Sequence, residues 1–258
     1  MDLVVLVDDS GASALVVPDE PLLEGCRLLA NPTNMGLAHA LNRGCSAALD
    51  DGADVIITLD QDATLPPGFV RRAVELLDRR RQEDASVAAV APQSVNGIPH
   101  QHRHRHGDHE CSLWVVQSGL TIGADALRTV GRFREDFVID ALEVDFVMRL
   151  HRAGLHVVLE EDLALEHAIG DPRTGQLLGL GFRASNHSAR RVYSIARNNA
   201  YLASRNVLRE PRWSLAAFWG LAKRTLKILL REDERAAKVA QLGRGLRDGL
   251  LGRLGPVD

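Results

Sequence analysis

Residues 55–68 read Val-Ile-Ile-Thr-Leu-Asp-Gln-Asp-Ala-Thr-Leu-Pro-Pro-Gly, and no other stretch restricts the possible folds as much. The β-branched run has the length and character of a buried parallel strand. Asp60 and Asp62 close it, and Pro66-Pro67-Gly68 turns the chain away. Residues two apart in an extended chain point to one side, so both carboxylates are expected to converge just past the strand's C-terminal end. Open α/β sheets take their ligands at that rim. Two carboxylates held together repel unless a cation lies between them, and hard oxygen donors suit Mg²⁺ or Mn²⁺. On spacing alone, an acidic loop after a core strand fits the same letters equally well, so the surroundings must decide.

Around that segment, strand-like and helical stretches alternate through the first 170 residues. Residues 2–7 read as a strand ending in the polar turn Asp8-Asp9-Ser10-Gly11, and Leu28–Ala30 as a short strand. The loop Asn31–Gly36 leads into a helix from about Leu37 to Leu49, and Pro67-Gly68 opens a second helix ending in Arg79-Arg80-Arg81. Strands follow at Ser86–Ala91, Leu113–Ile122 and His156–Leu159, with Leu163–Glu166 extended and helices near Asp125–Val130 and Glu143–Ala153. This alternation predicts a parallel-rich α/β sheet.

Residues 100–109 hold five of the ten histidines, interspersed with arginines. Clustered histidines can bind metal, but the arginines would repel a cation, and extended alternation strings the rings along an edge. An exposed loop is the expectation.

Charge divides the chain in two. Up to Ile169 there are 14 Lys+Arg against 27 Asp+Glu, and from Gly170 onward 17 against 7. An acidic body with a basic tail suggests a metal-using site in front and an anionic partner behind. Aromatic content of 4% argues against a stacking surface for single-stranded nucleic acid. Three cysteines without a CxxC pair point to a reducing compartment. The first residues carry no signal-peptide pattern, and no apolar run is long enough to span a bilayer. Within the tail, Trp213–Arg231 is amphipathic: Leu215, Phe218, Trp219, Ala222, Leu226 and Leu229 share one face, with Lys223, Arg224, Lys227 and Arg231 opposite. Such a helix either lies on a membrane surface or packs on the core with its basic side in water.

Taken in order, several segments resemble one family. They are Asn34-Met35-Gly36-Leu37-Ala38, the helix with Asn42 and Gly44, Leu59-Asp60-Gln61-Asp62, Gln117-Ser118-Gly119, the run Gly131 to Asp140, Glu143-Val144-Asp145 with Arg149 and Gly154, and Glu166-His167. The chain resembles a family 2 glycosyltransferase of the GT-A fold, and within that family it is most similar to bacterial rhamnosyltransferases that use dTDP-rhamnose. Tail motifs extend the likeness: His187-Ser188-Ala189-Arg190-Arg191, Tyr193, Arg197-Asn198-Asn199 and Gly245-Leu246-Arg247-Asp248-Gly249-Leu250.

The resemblance implies a Rossmann-like mixed sheet, mostly parallel and flanked by helices, over residues 1–170. It implies a basic, mostly helical extension over 171–258, whose amphipathic segment leaves membrane-surface association and core packing both open. It assigns Asp60 and Asp62 to a Mg²⁺ or Mn²⁺ ion on the donor diphosphate, with His167 beside it. Glu143 becomes the base that deprotonates the acceptor, where family members often carry Asp, with Asp140 and Asp145 as neighbours able to orient or replace it. Asp8 or Asp9, Asn34, Gly36 and Asp60 fall on the nucleotide side, and Gln117-Ser118-Gly119 on the acceptor side. One departure stands out: the sequence begins at what matches the family's second strand, roughly one βα unit short of the family pattern, so either the start lies upstream of Met1 or the nucleobase pocket is incomplete.

The implied activity is inverting transfer of a sugar, rhamnose, from a nucleotide-sugar donor to a hydroxyl of a glycan or polyprenyl-diphosphate-linked acceptor, at the cytoplasmic face of the inner membrane. Nucleic acid is not an expected partner. A nucleotidyl- or phosphotransferase using the same acid pair should show a phosphate-cradling glycine loop, and none is present. The remaining alternative is a glycosyltransferase-like module, inactive or impaired in donor binding, that binds glycan or membrane.

Overall fold

The computed structural model describes residues 3–11, 25–100, 102–167, 173–177, 180–184 and 186–256. Two units result, one from Met1–Glu135 and Leu142–His167, the other from Asp136–Ala141 and Ala168–Asp258.

In the first unit, β1 (Val4–Asp8) and β2 (Cys26–Ala30) pair in parallel as a sheet of their own. Helix α1 (Leu37–Asp50) covers β1 closely enough that a methyl at Gly44 would lie 3.4 Å from Val7. Along α1, Leu37, Ala38, Leu41, Cys45, Ala48 and Leu49 recur at helical spacing, and all of them face the hydrophobic core. Asn42 interrupts that apolar set for a reason. Its buried carboxamide donates to the Phe133 carbonyl at 2.8 Å and accepts from the Phe133 amide at 2.9 Å, pinning a distant loop to the helix.

The larger sheet runs β3 (Val55–Ile57), β9 (Thr121–Gly123), β5 (Val87–Val95), β10 (His156–His167), β8 (His109–Ser112), β7 (Arg103–His106). Two short strands lie off this path: β4 (Ala63–Thr64) pairs with β10, and β6 (Ile98–Pro99) with β5. Strands β3, β5 and β10 run the same way, as the βα alternation predicts. Because β9 and β8 are inserted between and beside them antiparallel, β5–β10 is the parallel ladder here and the sheet is mixed.

Helices α3 (Ala124–Val130) and α4 (Leu142–Arg152) share one core cluster with α1, around Ile56, Ala89, Ile122, Leu142, Phe146 and Leu150. Helix α2 (Phe69–Glu83) forms a second cluster, its Phe69, Ala73, Leu76 and Leu77 packing on Val87, Val90 and Val158. Arg80 of α2 grips the buried Glu160 of β10 through Nε at 2.6 Å and Nη2 at 3.2 Å.

Two sequence expectations change here. The predicted strand Leu113–Ile122 is divided: residues 113–120 form a turn region ahead of β9, with Gly119 at φ +81°, a backbone conformation that β-branched residues avoid. Residues 103–112 form the hairpin β7–β8 instead of an exposed loop, and strand alternation turns Arg103 and Arg105 outward while His104 and His106 are half-buried. Crowding is tightest at His156, where burial and then the neighbouring His106, His151 and His104 hold the imidazole down to about 4.

The second unit pairs β11 (Arg173–Leu177) with β12 (Leu180–Ala184), followed by α5 (Ala189–Asn206), α6 (Pro211–Arg231) and α7 (Arg235–Leu250). Ser188 caps α5 by accepting from the Arg191 amide. The tail motif Gly245…Gly249 has a packing cause. A methyl at Gly245 would meet the Tyr193 carbonyl oxygen at 2.4 Å, and one at Gly249 the Arg197 carbonyl oxygen at 2.2 Å, so α7 lies directly on the α5 backbone. Asp248, between them, accepts from the Tyr193 hydroxyl at 3.0 Å. Arg197 is 1% exposed, and its guanidinium donates to the carbonyls of Asp136, Phe137 and Gly255 and to the Asn198 side chain.

Helix α6 buries Trp213, Ser214, Leu221 and Ile228. Of the apolar face read from the sequence, Phe218 packs on the core, while Leu215, Trp219, Leu226 and Leu229 stay 50–73% exposed. Lys223, Lys227 and Arg231 are exposed as well. Among the described residues, no helix is long and apolar enough to cross a membrane.

Candidate active site

The Asp60–Asp62 segment lies beyond β3, but not as an extension of it. The chain leaves β3 at Ile57 and folds into a turn in which the Ala63 amide donates to the Asp60 carbonyl at 3.2 Å. The segment carrying the two carboxylates is therefore a turn and not a continuation of the strand's alternation. Asp60 is half-buried and Asp62 exposed.

What fixes the turn is the small-residue segment 117–120. The Ser118 hydroxyl accepts the Asp60 amide at 3.1 Å. Gly119 donates its amide to the Thr58 carbonyl at 2.8 Å, and the Thr58 hydroxyl donates to the Gln117 carbonyl at 2.6 Å. From the sequence, Gln117-Ser118-Gly119 was expected along the acceptor side; Ser118 and Gly119 serve here as the mount of the acid turn. Gln117 is 5% exposed, and both polar atoms of its carboxamide are buried with no hydrogen-bond partner among the described residues. A buried amide left in that state is costly.

On the other flank, β4 follows the acid turn directly and pairs antiparallel with the end of β10, in the register Ala63 opposite His167 and Thr64 opposite Glu166. Residue 167 is thus carried to within one position of Asp62 although 105 positions separate them in sequence. Two carboxylates on a pinned turn are donors of the kind a hard divalent cation takes.

Asp9 and the loop before α1 form the next group. The Asp9 carboxylate accepts from the Asn31 side chain at 2.7 Å and from the amides of Met35 at 2.8 Å and Gly36 at 2.7 Å. Arg43 donates to the Ala30 carbonyl at 2.5 Å and also to the Asn31 side chain. Asp9 therefore shapes the loop instead of presenting free oxygens. Gly36 has φ +94°, which only glycine adopts readily, and it delivers the chain into α1. Asn34 is left exposed at the loop's tip, and Asp8 ends β1 with its Oδ1 accepting from the Ser10 amide at 2.9 Å.

The three acids around α4 separate into different tasks. Asp145 is 6% exposed, and its carboxylate accepts from Arg149 Nε at 2.7 Å, with Arg134 Nη1 at 4.0 Å. Arg149 also donates to the carbonyls of Val130, Gly131 and Arg132, so this pair is a clamp on the loop before α4. Glu143 is half-buried in the first turn of α4, where the helix dipole favours a carboxylate.

Asp140 belongs to the second unit. Its Oδ1 accepts from Arg191 Nη2 at 3.3 Å, while Oδ2 is buried without a partner among the described residues. Burial pushes this carboxyl above the usual carboxylate range, with Arg191 opposing. Val138, Asp140 and Ala141 all have φ near +65°, a concentration of left-handed non-glycine backbone that the Asn198 side chain holds through the carbonyls of Phe137, Ile139 and Asp140. Such strain collects at functional sites, and no sequence pattern signalled it.

A cleft of about 430 Å³ opens beside β4 and β10, lined by Thr64, Pro66, Ser94, Asn96, Gly97, Ala164 and Leu165. None of the candidate carboxylates lines it. Residues 12–24 and 168–172, which follow Asp9 and His167 in the chain, lie outside the described residues.

A crystal structure of GalNAc-T7 with UDP, GalNAc and Mn²⁺ superposes on 90% of the chain and 52% of its own length, at a TM-score of 0.52 and 13% identity, which establishes a shared fold. The dTDP-rhamnosyl transferase RfbF of Shigella flexneri is 25% identical over 195 residues, covering 71% of this chain. The chain spans 65% of that relative's length. The profile of glycosyl transferase family 2 matches residues 2–137, over half the chain and including the whole acid turn with its mount. This protein belongs to glycosyl transferase family 2.

Proposed function

We propose that the protein transfers rhamnose from dTDP-rhamnose to a hydroxyl of a glycan or polyprenyl-diphosphate-linked acceptor, with inversion at the anomeric carbon. The observation that carries this reading is the Asp60–Asp62 turn, pinned by Ser118 on one side and tied to the His167 position on the other, inside a family 2 match. Its support for the sugar is the likeness to the rhamnosyl transferase.

In this reading Asp60, Asp62 and His167 hold Mg²⁺ or Mn²⁺, which when bound offsets the charge of the departing diphosphate. Glu143 accepts the proton of the acceptor hydroxyl. The hydroxyl oxygen bonds to the anomeric carbon as the bond to the diphosphate breaks, and dTDP leaves with the bonding pair. One displacement from the opposite face inverts the centre, so a single base suffices. Gln117 offers a donor and an acceptor to the bound ligand. Calorimetry of dTDP binding with and without Mn²⁺ tests the reading: metal-dependent heat is expected, and its absence would favour the inactive, glycan- or membrane-binding alternative.

The exposed strip on α6 supports a further part of the proposal, that the protein works at the cytoplasmic face of an anionic membrane. Leu215, Trp219, Leu226 and Leu229 would enter the interface while Lys223, Lys227 and Arg231 meet headgroups. Replacing those three cations by Gln should weaken binding to phosphatidylserine-containing vesicles by about 1 kcal/mol per charge at low salt, an effect that added salt should shrink. Sedimentation with vesicles measures it, and undiminished binding would remove α6 from the interface.

A further inference from the structure

The histidine-rich hairpin does not stand alone. Its His104 meets two histidines from elsewhere in the first unit, His151 on the last turn of α4 and His156 at the start of β10. The three rings form a near-regular triangle, with centroids 5.4 Å apart for His104–His151, 5.6 Å for His151–His156 and 6.3 Å for His104–His156. One ring nitrogen from each lies within 4.8 Å of the other two. His156 Nδ1 is buried and has no hydrogen-bond partner among the described residues.

His106 completes the setting without joining it. Its ring stacks on His156 at 3.6 Å, and its Nε2 is turned to Ser86 at 3.2 Å and Asp84 at 3.3 Å. Both objections raised by the sequence are answered by the fold. The pleat sends Arg103 to Glu110 and Arg105 to the Asp108 carbonyl, away from the rings, and the two distant histidines turn a row into an enclosure.

We propose that His104, His151 and His156 bind an imidazole-preferring divalent transition metal such as Zn²⁺, at a site separate from the Asp60–Asp62 turn. Three neutral imidazoles are a donor set for Zn²⁺, Ni²⁺ or Cu²⁺ and a poor one for Mg²⁺ or Ca²⁺, so two acid oxygens and three ring nitrogens divide the metals between them. Zn–N bonds of about 2.0–2.1 Å in a tetrahedron set the nitrogens about 3.4 Å apart. The nitrogens, now up to 4.8 Å apart, would draw together by up to about 1.4 Å to reach that spacing, and three ligands leave the fourth tetrahedral position to water. An ion here would fasten the β7–β8 hairpin to β10 and to the C-terminal end of α4, the helix whose first turn carries Glu143.

The experiment is titration of the full chain with Co²⁺, followed by competition with Zn²⁺. One equivalent of Co²⁺ should give the intense visible bands of a tetrahedral site, and Zn²⁺ should abolish them. The same spectrum should persist in Asp60→Asn/Asp62→Asn. In His104→Gln/His151→Gln, affinity should fall by at least the about 10- to 100-fold that loss of a mere supporting partner costs, and circular dichroism checks that this variant is folded. His151→Cys keeps a ligand, so it should retain binding and add a thiolate-to-cobalt charge-transfer band. The proposal is overturned by an octahedral or absent signal in the full chain, by a signal that survives the double His substitution, by one that disappears with the acid pair, or by a His151→Cys spectrum without the thiolate band.

Discussion

Asp62→Ala is expected to abolish Mn²⁺-dependent binding of dTDP and to lower sugar transfer by about 10³-fold or more. The size follows from the charge the site must handle: Lewis-acid stabilisation is worth several kcal/mol, and about 1.4 kcal/mol corresponds to a factor of ten in rate. The effect should be specific because Asp62 is exposed on a turn whose backbone is held by Ser118 and by β4, and neither of those holds uses the Asp62 side chain. Unfolding midpoints of the variant and the parent protein should agree closely. Calorimetry with dTDP and Mn²⁺, run beside a transfer assay, measures both effects. Unchanged nucleotide affinity would take Asp62 out of the site.

Glu143→Gln should behave differently. Donor binding should stay intact while kcat drops by about 10²- to 10⁴-fold, the range general-base catalysis supplies. Gln preserves the shape and removes only the capacity to take a proton. Retained turnover would move the base to Asp140, because Asp145 is committed to Arg149. The pH profile then separates the two acids. Burial raises the Asp140 carboxyl, so a reaction that depends on its ionised form would lose rate on acidification at a pH above the ordinary carboxylate range. Asp140→Asn would eliminate that limb.

Much of this arrangement could be read from the amino acids, and the failures have identifiable causes. Helices α1, α2, α4 and α6 fall where the sequence put them, and α1, α2 and α4 pack apolar stripes on their neighbours, whereas α6 buries Trp213, Leu221 and Ile228 and leaves most of the face read from periodicity exposed. The directions of β3, β5 and β10 follow from the βα alternation, but the inserted β9 and β8 do not, since hairpin-like returns carry no helical spacer to announce them. At the site, the acid pair was legible as a motif, yet its geometry was not. A turn stitched by Ser118 replaces the expected strand alternation, and that bond joins residues 58 positions apart. Asp9 was a candidate for the nucleotide side and Asp145 a candidate partner of the base; in the fold the Asp9 carboxylate closes a loop and that of Asp145 pairs with Arg149. Short-range sequence cannot distinguish a carboxylate aimed at substrate from one aimed at the chain's own amides. The histidine triangle was hidden for a related reason: its members come from a hairpin, a helix end and a strand start, and only the fold makes them neighbours.

The buried guanidinium of Arg197 has a practical corollary for anyone trimming this protein. One of its bonds goes to the Gly255 carbonyl, and the Gly255 amide in turn donates to the Asp136 carbonyl at 2.8 Å. Deleting the last few residues to improve crystals or expression would therefore strand a cation in a medium that cannot hydrate it. The loosened ends would be those that shape the backbone around Asp140, so a shortened protein could lose activity while every acidic side chain discussed above remained in place.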